Sequence, residues 1–94
     1  MQDSPQIQQL KQRYRQSFPE KLSIIENIKQ GIIESNSIDE AKSELHKLAG
    51  SSGMYGYPDL AQNCRDAMQK IDDGNTNQAI SHIDSVILFL SSEG

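Results

Sequence analysis

Few side chains in this chain combine reactivity with a setting that could use it. There are two histidines, His46 and His82, one cysteine, Cys64, and no tryptophan. An imidazole that is neutral for much of the time near neutral pH offers a ring nitrogen lone pair, so it can act as a nucleophile, a base or a metal ligand. His46 has the more suggestive neighbours. On a helix, Lys42 and Ser43 lie one turn before it, Ala49 and Gly50 one turn after it, and Gly53 two turns after it. The C-terminal half of that face is almost without side-chain bulk. Glycine inside a helix costs about 1 kcal/mol relative to alanine. A physical reason to place one at Gly50 is to let another protein approach the helix surface beside the imidazole; the blander reading is that Gly50, Gly53 and Gly56 together wind the helix down.

Other chemistries find less support. His46 and His82 are far apart, and neither His-Glu-x-x-His nor paired-cysteine spacing occurs, so no metal is expected. A lone cysteine forms no intramolecular disulfide, and Cys64 reads as a small buried core residue. A serine or cysteine hydrolase would need a base and an oxyanion site, and neither is suggested. The formal net charge is −4, without the clustered basic face of a duplex-binding protein, so nucleic acid is not expected as a partner. No apolar run approaches the ~20 residues needed to span a bilayer. The polar start, Met1 to Gln6, lacks a signal-peptide pattern, and the expected location is cytoplasmic.

The elements that must position His46 read as helical throughout. Ser4 and Pro5 suit an N-cap and first helical position, and Ile7, Leu10 and Tyr14 recur at helical steps in a short first helix. Ser17 and Glu20, then Ser37 and Glu40, have capping-box spacing, and Asn75 and Gln78 form a further cap pair. The apolar stripes are Leu22, Ile25, Ile28 and Ile32; Ala41, Leu45, Leu48 and Ser52; Leu60, Cys64, Ala67 and Ile71; and Ala79, Ile83, Val86 and Leu90. Pro58 is placed to start one helix, Gly74 to stop it, and Gly56 to end the helix before it. Four amphipathic helices with brief connections, preceded by a short one, predict an all-α, antiparallel up-down four-helix bundle forming a single domain over residues 1–94. On a wheel of about 100° per residue, His46 falls roughly 130° from the centre of its helix's apolar arc, on the exposed side. His82 lies near the edge of the last stripe, as ordinary boundary surface.

The stretch His46-Lys47-Leu48-Ala49-Gly50-Ser51-Ser52-Gly53-Met54-Tyr55-Gly56-Tyr57-Pro58-Asp59-Leu60 resembles the signature of histidine-phosphotransfer (HPt) domains. The family pattern is a histidine, any residue, an aliphatic residue, often a lysine, then glycine, small residues, and a further glycine and aliphatic residue. The resemblance implies a monomeric phosphocarrier without kinase or phosphatase activity of its own. His46 would accept a phosphoryl group from a receiver-domain aspartate or a sensor kinase and donate it to another receiver. No cofactor is expected on this chain, because the Mg²⁺ of the transfer belongs to the receiver. Docking would use the helix around His46, with Ser43, Ala49, Gly50 and Gly53 as its bare face, and part of the preceding helix. Where many members carry lysine three positions after the histidine, this chain has Ala49; Lys42 first and Lys47 second are the candidates to neighbour the phosphate. Two other readings are weighed. The dimerising hairpin of a sensor kinase also exposes a histidine, but it typically has an acidic residue next, where Lys47 stands here. A helical adaptor that only binds partners is the other; His46 argues against it.

Overall fold

The computed structural model describes residues 5–93. Among these residues five helices follow one another: α1 Pro5–Gln16, α2 Phe18–Ile33, α3 Ile38–Met54, α4 Pro58–Asp72 and α5 Thr76–Glu93. No strand occurs among the described residues. The four longer helices pack as a ring in which α2 meets α3 and α5, and α4 meets α3 and α5. Among these four the connections are short enough to force each helix back along the one before it. The expected helical bundle with a short leading helix is therefore what the chain forms.

The apolar stripes account for the ring. Ile25, Ile28 and Ile32 on α2, Ala41, Leu45, Leu48 and Ser52 on α3, and Leu60, Cys64 and Ala67 on α4 are buried. Ala79, Ile83, Val86 and Leu90 complete the interior from α5. Each set recurs at three- and four-residue steps, so burying it fixes the rotation of its helix about its own axis. Ser52 is the one buried residue of polar type among the described residues; its hydroxyl donates to the Leu48 carbonyl at 2.6 Å, which removes the penalty for burying it.

Helix ends follow the sequence in part. Gly56 and Gly74 adopt φ of +87° and +75° just beyond α3 and α4, where the left-handed turn suits glycine. The Tyr57 N–H then reaches back to the Ser52 carbonyl at 2.8 Å, and the Asn75 N–H to the Lys70 carbonyl at 2.8 Å. Asn75 caps α5, accepting a bond from the Gln78 N–H at 3.1 Å. The two expected capping boxes do not form. Ser17 has helical backbone angles, and its hydroxyl donates backwards to the Tyr14 carbonyl instead of accepting from the next turn. Ser37 has φ +56°, a left-handed geometry in which its side chain makes no cap bond. The proposed Ser4 cap lies outside the described residues.

The sequence gives five aromatic residues, and all of them gather at one end of the bundle. Tyr14 stacks on Tyr55 with ring centroids 4.8 Å apart, and Phe18, Tyr57 and Phe89 pack edge to face beside them. This cluster is where α1 docks. The hydroxyls of Tyr14 and Ser51 lie 2.6 Å apart, hydrogen-bonding α1 to α3. Leu10 and Ile7, one and two turns before Tyr14 on α1, remain half exposed.

Candidate functional site

Helix α3 presents the site. Its buried stripe faces the bundle interior, so the opposite side is turned outwards, and His46 is exposed there. Because α3 is 17 residues long and packed along its length, the imidazole is carried on a rigid support. Ser43, Gly50 and Gly53 are exposed on the same side.

Gly50 is the informative neighbour. It lies inside α3, and a Cβ added there would meet nothing within 4 Å. Internal packing therefore does not require glycine at this position, nor does the backbone, since its φ is ordinary for a helix. A Cβ at Gly53 would make ordinary contact with the Ala61 side chain at 3.8 Å, so that glycine lies towards α4.

Ala49 corrects the expected face. It is 3 % exposed and belongs to the core cluster, so it offers no docking surface. The reason is that α3 packs against both α2 and α4, which widens its buried arc beyond the four-residue stripe. The bare surface beside His46 is made by Ser43, Gly50 and Gly53 alone of the expected four.

Neither candidate lysine stands free. The Lys42 ammonium lies 2.5 Å from the Asp72 carboxylate on α4, and this hydrogen bond and the adjacent negative charge raise the lysine's pKa. Lys47 is 3.3 Å from Glu44 on its own helix. It lines a shallow apolar groove between α2 and α3 with Ile24, Ile25 and Leu48. Asp72 is the site residue that the sequence reading missed. It is thirty positions from Lys42, and only the antiparallel packing of α4 on α3 brings the two together.

The remaining reactive groups lie elsewhere. Cys64 is fully buried on α4, and burial pushes its thiol up to about 12. His82 is half-buried on α5, diagonally across the ring from α3. Among the described residues no three metal-ligating side chains come together, and no helix is long and apolar enough to cross a membrane.

Comparison with known proteins agrees with this architecture. A family model described as Hpt domain matches residues 9–91. No curated protein and no solved structure matches the chain. The match spans α1 through α5 almost completely, including the whole of α3 with its exposed histidine. The chain belongs to the Hpt domain family, the helical-bundle phosphocarriers of two-component phosphorelays.

Proposed function

We propose that His46 is the residue that carries the phosphoryl group, accepting it from a receiver-domain aspartyl phosphate or a sensor kinase and passing it to another receiver. The observation that carries this reading is an exposed imidazole on a rigid helix, one turn from a glycine that the fold itself does not need.

The transfer is a displacement at phosphorus. The lone pair of a His46 ring nitrogen attacks the phosphorus of the acyl phosphate in line with the leaving oxygen. The N–P bond forms as the P–O bond to the aspartyl carboxylate breaks, and the carboxylate departs with the electron pair. The ring holds the positive charge until the proton on its other nitrogen leaves to solvent. For the onward step that nitrogen takes a proton back from solvent, the aspartate of a second receiver attacks the phosphorus, and the N–P bond breaks with its electron pair going to the ring, which leaves as a neutral imidazole. Such reactions depend on alignment and charge balance more than on covalent machinery. What this chain contributes is an accessible nucleophile with fixed direction and a surface over which the receiver's acidic pocket can close. Mg²⁺ belongs to the receiver in this scheme.

Ser43, Gly50 and Gly53 form the part of the docking surface nearest the imidazole, and the groove between α2 and α3 extends it. The protein acts as a monomer in the cytoplasm and does not phosphorylate itself. Incubating it with a labelled, phosphorylated receiver domain tests the reading: label moves onto the wild-type chain, and His46→Gln takes up none. Light scattering separates this monomeric carrier from a kinase-like dimerising hairpin.

A further inference from the structure

We infer that Asp72 is a positioning residue for the phosphocarrier site, holding Lys42 while His46 is bare and releasing it to the phosphoryl group once His46 is modified. The inference rests on the reading of His46 as the phosphorylated residue.

Once His46 is phosphorylated, Lys42 has two neighbouring acceptors. Asp72, on the facing helix, holds its ammonium at 2.5 Å. His46 is four residues along α3, and side chains so spaced are neighbours on a helix surface, with about 5–6 Å between Cβ atoms. The two acceptors differ in strength after modification. Asp72 presents one negative charge, whereas a phosphoryl group carries up to about two and three acceptor oxygens. Both members of the pair are open to solvent, with side-chain exposures of 39 % and 53 %, so the existing bond is easily exchanged. Phosphorylation also sets two anions near each other, Asp72 and the phosphate, and moving Lys42 between them relieves that repulsion. The other nearby lysine is less suited: Lys47 points about 100° away around the helix and pairs with Glu44.

The consequence is a site whose cation is stored beside the imidazole instead of lying over it. The unmodified face stays uncluttered for docking, and the charge-balancing group arrives with the phosphate. Asp72 competes for Lys42 and so limits how strongly the phosphorylated state is stabilised.

Phosphoramidate, a small-molecule phosphoryl donor, tests this without a partner protein. Mass spectrometry first checks that His46 is labelled; absence of label there overturns both the phosphocarrier reading and this inference. With His46 labelled, the carboxyl carbon of Asp72 is followed by NMR. Its signal is expected to move on phosphorylation towards the position it has in Lys42→Gln, with no comparable move when Lys42→Gln is itself phosphorylated. Asp84, paired with Lys29 at 2.6 Å between α5 and α2, should not respond and serves as the control. An Asp72 signal that ignores phosphorylation, or moves equally in both proteins, overturns the inference while leaving the role of His46 intact. In a parallel arm, Asp72→Asn is expected to lengthen the phosphohistidine half-life about three-fold, and to do so only where Lys42 is present. The same gain in the Asp72→Asn, Lys42→Gln double variant would contradict partner exchange.

Discussion

Gly50 lies one helical turn beyond His46 on α3, and the space that a side chain there would occupy is open. The two residues thus separate what folding requires from what docking requires. Gly50→Ala should raise stability by about 0.5–1 kcal/mol, because alanine favours the helix and meets no neighbour. Urea denaturation measures this directly. A destabilised Gly50→Ala would mean that the glycine serves the fold and would remove the argument for a surface kept bare.

Gly50→Glu places bulk and negative charge on the same spot. Folding should be little affected, since the side chain enters solvent. Transfer from a phosphorylated receiver should slow by at least about ten-fold, because the partner's acidic pocket must approach this surface. Stopped-time phosphotransfer assays at equal protein concentration give the rate. An unchanged rate would show that docking does not use this face.

The bond between Tyr14 and Ser51 makes a prediction about α1. Tyr14→Phe keeps the aromatic stack on Tyr55 but loses the 2.6 Å hydroxyl contact, and should cost about 1 kcal/mol. Hydrogen exchange should speed up first in α1, which is held chiefly by this aromatic end. Uniform acceleration across all five helices would show that α1 unfolds only with the whole bundle.

Alkaline stability follows from two buried acids. Burial raises the Tyr14 hydroxyl above its ordinary 10.0, against the opposing effect of its bond to Ser51. Burial also pushes the Cys64 thiol from its ordinary 9.0 up to about 12. In both cases the folded chain holds the proton more tightly than the unfolded chain does. The associated stability is full below the unfolded values and is lost as pH rises through the folded ones. For Cys64 the loss should begin near pH 9 and reach on the order of 4 kcal/mol by about pH 12. Denaturation midpoints measured across that range should fall for the wild type and less steeply for Cys64→Ala. Equal slopes in the two proteins would contradict the assignment. Cys64 should also resist thiol reagents at pH 8 until the bundle opens.

Hydrophobic periodicity made the helices legible, because each stripe is a local property of one segment. The exposed position of His46 was legible for the same reason: it is an angle on a single wheel. What escaped depends on contacts between segments. Ala49 was placed on the open face because a wheel does not show that α4 covers the flank of α3. Asp72 could not be paired with Lys42 before the register of α4 on α3 was known. The gathering of Tyr14, Phe18, Tyr55, Tyr57 and Phe89 at one end is likewise a product of the ring. The boxes at Ser17 and Ser37 failed for a local reason, since spacing alone does not specify the extended backbone that a capping serine needs.

The chemical nature and position of the phosphoryl adduct test the central claim most directly. After exposure to a labelled, phosphorylated receiver domain, the wild-type chain should hold label that acid releases and base preserves, mapped by mass spectrometry to His46. Label of equal amount on His46→Gln, or an adduct stable in acid, would contradict the account.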